Sequence, residues 1–166
     1  MKKLYLIGGT MGVGKTTVAK HLSHNVLEGS VFLDGDWCWD ATPFVVTEET
    51  KAMVMDNICH LLSNFIKCSV YRNIVFCWVM HEQSIIDGIL SRLPLDGIEV
   101  VAVSLTATPQ TLKSRITGDV KRGLRTSDVL QRSIDRLPLY DLLDTHKIST
   151  DQKSVEQIAL EIINLT

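Results

Sequence analysis

Runs of consecutive apolar residues alternate along the chain with stretches in which apolar positions recur every three to four residues. These two periods divide it into strands and helices. Residues 3–8 form a short apolar run ending in glycines, the mark of a buried strand. Behind it, Val18, Ala19, Leu22 and Val26 fall on one helical face, and Gly29 closes that helix. Val31-Phe32-Leu33 predicts a second strand, closed by Asp34-Gly35-Asp36. After a polar and aromatic stretch holding Pro43, a long helix is expected from about Glu48 to Ser69, with Ile58, Leu61, Leu62, Phe65 and Ile66 inward. Asn73 to Met80 is continuously apolar, as a strand covered on both faces must be. Ile85, Ile86, Ile89, Leu90 and Leu93 mark a helix stopped by Pro94, and Ile98 to Leu105 is another covered strand. Pro109 suits a helix start. Ser127 to about Leu143 reads as a helix broken near Pro138. Lys147-Ile148-Ser149 predicts a short strand, and Val155, Ile158, Ala159, Ile162 and Ile163 a terminal amphipathic helix.

Strands and helices alternate throughout, with connections that leave no hairpins. The pattern predicts an α/β fold, a three-layer sandwich with a five-stranded parallel sheet. A length of 166 residues, 45% of them apolar, fits a single domain over 1–166 with no linker or repeat. Ligands of such sheets bind beyond the carboxyl ends of the strands. Three strand ends are therefore candidate sites: Gly8–Thr16, Asp34–Trp39 and Val79–Glu82.

The first of them reads Gly9-Thr10-Met11-Gly12-Val13-Gly14-Lys15-Thr16, the G-x-x-x-x-G-K-T pattern of a P-loop, placed after a strand and opening a helix. Glycines let successive backbone N–H groups converge on phosphate oxygens, and the helix adds the positive end of its dipole. Gly9, Met11, Gly12, Val13, Gly14, Lys15, Thr16 and Thr17 are the expected contacts of a purine nucleoside triphosphate. Lys15 would reach the β- and γ-phosphates, and the Thr16 hydroxyl would ligate Mg²⁺. A dinucleotide-binding loop is excluded, because Gly12-Val13-Gly14 continues into Lys15-Thr16-Thr17 with no third glycine where one is needed. Motors and switches usually end a neighbouring buried strand in a carboxylate. Here those strands end in Trp78-Val79-Met80-His81 and Ser104-Leu105-Thr106, with only Glu82 just beyond the first. There is no guanine-reading N-K-x-D sequence, and the strong carboxylates follow the second strand instead.

The P-loop followed by Phe32-Leu33-Asp34-Gly35-Asp36 resembles the gluconate kinase and adenylylsulfate kinase branch of small P-loop kinases. It is similar also to shikimate kinases, with their own D-x-D at this point. The resemblance covers the whole chain in length and element order, including a basic lid segment at about 113–126. It implies an enzyme of the P-loop kinase type with ATP and Mg²⁺ as cofactors, moving the γ-phosphate to a hydroxyl of a small-molecule acceptor. Lys15, Asp34, Asp36, Arg115, Arg122 and Arg125 are the catalytic set it implies. Thr16 and Asp34 would hold the metal, and Asp36 would face the acceptor, though the residues themselves leave open which carboxylate is the base. Arg115 would lie against the adenine or the phosphates, and Arg122 or Arg125 would reach the transferring phosphoryl group. The choice of adenine, and a further purine contact from Thr150-Asp151-Gln152-Lys153, are likewise implied by the resemblance.

Charge and composition narrow the partners. A net charge of −2 argues against nucleic acid and membrane surfaces, while the basic run from Lys113 to Arg136 suits a small anion. Arg132 and Arg136, four apart, would share one helical face and add to it. The opening apolar run is too short for a signal segment, and no stretch is long enough to span a bilayer. Four cysteines, Cys38, Cys59, Cys68 and Cys77, lie at no zinc spacing and in apolar surroundings, so reduced thiols and a cytoplasmic setting are expected, as a monomer or homodimer. Trp37 and Trp39, directly after the Asp pair, depart from the gluconate kinase pattern and read as pocket or core, the former favouring an acceptor with a flat or apolar face. His81 and Glu82 stand beside the same strand ends. A nucleoside or nucleoside-monophosphate kinase is the alternative, but between residues 36 and 70 there is no arginine to hold an acceptor phosphate, only Lys51 and Lys67. A non-catalytic ATP-binding sensor or resistance factor is the alternative of a different class.

Overall fold

The computed structural model describes residues 1–166. Five strands, β1 (Lys2–Gly9), β2 (Ser30–Asp34), β3 (Asn73–Cys77), β4 (Ile98–Thr106) and β5 (His146–Ser149), form one parallel sheet in the order β2-β3-β1-β4-β5. Six helices cover it: α1 (Lys15–His21), α2 (Glu48–Lys67), α3 (Gln83–Leu90), α4 (Pro109–Lys121), α5 (Val129–Asp141) and α6 (Val155–Ile163). The chain has the three-layer α/β architecture that its alternating pattern predicts.

Pleating sends neighbouring residues of each strand to opposite faces. Tyr5, Ile7, Val75 and Cys77 enter one core with Val18 and Ala19 of α1, Leu112 and Ile116 of α4, and Ile158 and Ile162 of α6. Leu4, Leu6, Ile74 and Phe76 enter the other with Val54, Ile58 and Leu62 of α2, Ile86 and Ile89 of α3, and Tyr140 of α5. Each such aliphatic side chain contributes about 1.5–3 kcal/mol when fully buried. Two filled cores hold β1 and β3 rigidly in the middle of the sheet, so their carboxyl ends are fixed platforms.

Several boundaries differ from the sequence expectation, each for a local reason. α1 stops at His21, and a π turn carries the chain to Val26, closed by the Leu27 N–H donating to Leu22 O at 2.9 Å. The buried hydroxyl of Ser23 meets Ser30 at the start of β2, 2.8 Å away, which favours this wider turn over a continued helix. β3 ends at Cys77 rather than Met80. The Trp78 N–H still bonds Ile7 O at 3.2 Å, but Met80 takes a φ of 34° and turns the chain out of the sheet.

α5 is not broken at Pro138; it continues to Asp141. The proline stands in the last turn, so little helix follows it, and the buried Tyr140 hydroxyl anchors that turn on Val79 O. The basic segment at about 113–126 is helical as far as Lys121. Thr108 caps that helix, accepting from the Thr111 N–H at 3.3 Å, and Pro109 pre-forms its first turn. Only past Lys121 does this basic segment leave the helix, with Gly123 at φ 72°. No helix is long and apolar enough to cross a membrane.

Candidate active site

The carboxyl end of β1 leads into the P-loop. At Gly9, φ is 152°, and a Cβ there would stand 2.8 Å from Leu105 O and from Val13 Cγ1. The loop is thus wedged against the end of β4 at a point where only glycine fits. Gly14 precedes α1 with φ 103° and offers no side-chain cap, which leaves the first N–H groups of the helix free to face an anion. The buried Thr10 hydroxyl donates to Ser133 O at 2.9 Å, tying the loop to α5. Lys15 Nζ donates to Thr10 O at 3.0 Å and so sits over the loop. Burial weakens its hold on its proton, and the carboxylates of Asp36 and Asp34 oppose that effect.

Asp34 is 5% exposed, at the end of β2. Its Oδ2 accepts from the Thr16 hydroxyl at 2.7 Å, and its Oδ1 accepts from the Asp36 N–H at 3.0 Å. One buried carboxylate thereby joins the P-loop to the turn that presents Asp36. Cys77 pairs with Asp34 in the strand register; burial, with the Asp34 charge, pushes its thiol well up, so it stands there as a neutral thiol.

Asp36 reaches solvent, yet protein crowds around its carboxyl. That desolvation, followed by the Asp34 charge, raises its pKa above the usual carboxylate range, while Lys15, the Trp78 indole and Arg125 pull it down. Gly35 between the two aspartates is required by Trp78: a Cβ would lie 2.5 Å from the indole Cγ. The indole therefore rests directly on the turn.

On the far side of the P-loop, a cavity of about 420 Å³ is lined by Gly12 to Val18 together with Arg115, Asp119, Arg122, Arg125, Thr150 and Lys153. Arg115 Nη1 donates to Val13 O and to Thr150 Oγ1, each at 3.0 Å, and Nη2 donates to Thr150 O at 3.1 Å. The guanidinium thus spans two loops, a geometry that its planar fork allows and a lysine lacks. The Thr150–Lys153 loop is itself fixed by Asp151, which accepts from the Thr108 N–H at 2.9 Å. Arg122 and Arg125 both donate to Asp119, at 2.7 and 3.0 Å. Arg122 is exposed and Arg125 half-buried, and surface ion pairs of this kind are worth only ~0–1 kcal/mol. A second concavity, of about 460 Å³ on the outer face of α4, has Gln110, Lys113 and Thr117 among its lining and no apolar residue or strand end.

The structure therefore brings Lys15, Thr16, Asp34 and Asp36 together, and gathers Arg115, Arg122 and Arg125 around one cavity with the P-loop. It does not bring Arg132 there. Arg132 turns to Asp128 at 3.1 Å on the surface, whereas Arg136 sits on the α5 face of Ser133 and Tyr140. Burial, then the charge of Arg136, lowers the pKa of His81, while Glu82 opposes them. His81 Nε2 is 3.4 Å from Glu82 Oε1, and its buried Nδ1 has no partner.

The two tryptophans expected together are separated. Trp37 packs edge-on against Phe32 at 5.3 Å under Lys20, on the α1 side. Trp39 packs on the apolar cluster of α2 and α3 and meets Phe44 in a tilted pair, centroids 4.5 Å apart. Sequence reasoning missed Trp78, Cys77 and the Thr10–Ser133 bond. The strand-end rule would have found Trp78 had the end of β3 been placed at Cys77. The other two have no sequence signal, since they arise where β2 meets β3 and where α5 meets the loop.

The Thr16 hydroxyl and the Asp34 carboxylate offer two adjacent oxygens to a cation, and no cluster of three His, Cys, Asp or Glu side chains stands ready for a metal. That donor set fits Mg²⁺, which keeps several waters and takes one or two protein oxygens beside phosphate.

The AAA domain family profile matches residues 6–131. No curated protein matches the sequence. The fold is similar to that of a gluconokinase from Sinorhizobium meliloti 1021, with a TM-score of 0.70 at 17% identity over 98% of this chain and 90% of that one. It is similar also to the Deinococcus radiodurans tunicamycin resistance protein, with a TM-score of 0.74 at 19% identity over 99% and 95% of the two chains. A shikimate kinase from Acinetobacter baumannii in complex with shikimate gives 0.64 at 22% identity over 99% and 92%. At these identities the likeness is one of fold, the fold of small P-loop kinases, and it singles out none of those enzymes.

Proposed function

The chain belongs to the AAA domain family, and we propose that it is an ATP-dependent phosphotransferase that moves the γ-phosphate of ATP to a hydroxyl of a small-molecule acceptor. The observation that carries this reading is the Thr16–Asp34–Asp36 chain. It puts a buried carboxylate on the P-loop hydroxyl and, two residues on, a second, solvent-reachable carboxylate whose pKa desolvation raises above the usual carboxylate range. A nucleotide switch has no use for the second group. A kinase needs it to take the acceptor proton.

In this reading the P-loop N–H groups and Lys15 hold the phosphates, and Arg115 with the Thr150–Lys153 loop lies against the purine. Thr16 and Asp34 would hold Mg²⁺, which when bound neutralises phosphate charge. Asp36 accepts the proton of the acceptor hydroxyl as the new O–P bond forms and the bond from the γ-phosphorus to the β-phosphate oxygen breaks. Arg122 and Arg125 move from Asp119 to the equatorial oxygens of the phosphoryl group, where planar donors match the spread charge. ADP leaves with the pair of electrons of the broken bond.

The test is ATP consumption with Mg²⁺ across sugars, sugar acids, nucleosides and nucleoside monophosphates, in the parent protein and in Asp36→Asn. Stimulation by one acceptor class that vanishes in the variant, at unchanged ATP affinity, is the expected result. Transfer that persists in Asp36→Asn overturns the mechanism.

A further inference from the structure

We propose that the acceptor is an alcohol with a flat, apolar ring system, seated on an aromatic wall formed by Trp78, Trp39 and Phe44 beside Asp36. The proposal deepens the kinase reading and rests on it. Three observations carry it.

The first is position. Trp78 lies on Gly35, in contact with the turn that presents Asp36. Trp39 comes three residues after Asp36 and shares an apolar cluster with Trp78, Cys38 and Met55. The Asn57 side chain donates to Cys38 O at 3.1 Å and holds this strip on α2. Phe44 then packs against Trp39 with the ring planes tilted by 39°. Trp78 and Trp39 thus border one apolar cluster, and Phe44 lies against Trp39.

The second is exposure. Phe44, Val45 and Val46 are 59, 49 and 56% exposed, and Met53, in the second turn of α2, is 41% exposed. Consecutive apolar side chains left in water on one short connection are costly unless something covers them. They lie on the segment joining Asp36 to α2, so a molecule whose hydroxyl meets Asp36 is within their reach. Aromatic rings recognise flat partners by offset stacking, worth ~0.5–1.5 kcal/mol beyond area burial.

The third is charge. Phosphate groups are usually gathered by guanidinium forks, yet residues 36–70 hold no arginine. Lys51 is taken up by Glu48 at 2.9 Å, and Lys67 lies at the far end of α2. Asp36, Asp40, Glu48 and Glu49 make the same stretch acidic. A phosphorylated acceptor is repelled here, and a neutral ring is not.

The experiment separates acceptor binding from turnover. Uridine, adenosine and a phenylpropanediol serve as ring-bearing probes, with gluconate and shikimate as anionic controls poor in flat surface. Binding is read by quenching of tryptophan emission with a non-hydrolysable ATP analogue and Mg²⁺ present, and turnover by ADP release. At least one ring-bearing alcohol is expected to quench and to stimulate turnover, with at least tenfold preference over both controls. Phe44→Ala and Trp39→Leu are expected to raise its KM at least tenfold with kcat changed less than threefold; ATP affinity and the circular dichroism spectrum report an intact fold.

Stimulation by gluconate or shikimate without binding of any ring-bearing probe overturns this proposal and leaves the kinase reading standing. Ring binding with no turnover for any acceptor supports the wall and sinks the kinase reading. Binding of no ring-bearing probe under any condition overturns the proposal. So does a concentration-dependent dimer that Phe44→Ala converts to monomer with acceptor KM unmoved, because the patch then covers a second copy of this chain.

Discussion

The two sides of the site are built in opposite ways. On the nucleotide side every loop is tied to another: Arg115 joins Val13 to Thr150, Asp151 holds Thr108, and Thr10 is locked to Ser133. On the acceptor side the residues from Asp40 to Glu49 are exposed throughout, and their anchors are the Thr47–Thr50 capping box and the rings of Trp39 and Phe44. In the proposed reading, the difference follows from what each side binds. Phosphates are recognised by converging N–H groups that lose their strength if they wander by an ångström, so that half must be organised in advance. An apolar ring is recognised by area, which a loosely held segment supplies by folding down onto it.

The largest effect should come from the group shared by both halves. Asp36→Asn is expected to lower kcat about 10²–10⁴-fold, measured as acceptor-dependent ADP release, with ATP affinity within twofold of the parent. An equal loss in ATP affinity would mean that Asp36 belongs to the nucleotide side and that the division drawn above is wrong.

Lys15→Ala removes a charged donor from the organised half and should weaken ATP binding about 10–100-fold by calorimetry. The acceptor side should not feel it: quenching by a ring-bearing alcohol in the absence of nucleotide is expected to be unchanged.

Gly35→Ala tests how tightly the two halves meet. The new methyl collides with the Trp78 indole, so a loss of about 1–3 kcal/mol is expected, a fall of several degrees in Tm. Acceptor KM should rise with it. A Tm equal to the parent's would show that the indole moves freely and is no fixed wall.

Arg115→Lys keeps the charge and loses the fork. ATP affinity should drop about tenfold, and amides of the Thr150–Lys153 loop should exchange faster with deuterium. An affinity equal to the parent's would show that charge, not the bridge between two loops, is what Arg115 supplies.

The smallest effect concerns pH. The folded-state pKa of Asp36 is raised, so the folded protein binds its proton more readily than the unfolded chain. The associated stability is present at low pH and is lost as pH rises through the raised pKa. Asp36→Asn should therefore match or exceed the parent in Tm at neutral pH, with the gap closing below the ordinary carboxylate range. Activity should move the other way, rising with pH as Asp36 loses its proton. A variant less stable than the parent at neutral pH would place Asp36 in a stabilising bond instead.

Much of this was legible in the chain, and what was legible shares a cause. The strands were readable because burial on both faces demands unbroken apolar runs, as in Asn73–Cys77. The P-loop was readable because phosphate binding needs glycines and a lysine at fixed spacing on one continuous segment. Asp34 and Asp36 followed from the strand-end rule. The basic stretch at 113–126 was legible by its charges, but its helical extent to Lys121 was not, because Gly118 reads as a breaker until Thr108 and Pro109 are seen to fix the helix start.

What the sequence by itself determined is the fold class, the phosphate loop and the carboxylates that follow β2, since each is a local pattern with its own physical requirement. The tertiary structure alone decided which partners those residues meet: Asp34 with Thr16, Arg115 with Thr150, Gly35 under Trp78, and Trp37 parted from Trp39. Each of these depends on strand order and on side-chain direction at a strand or helix end, and neither is written in the spacing of residues along a chain.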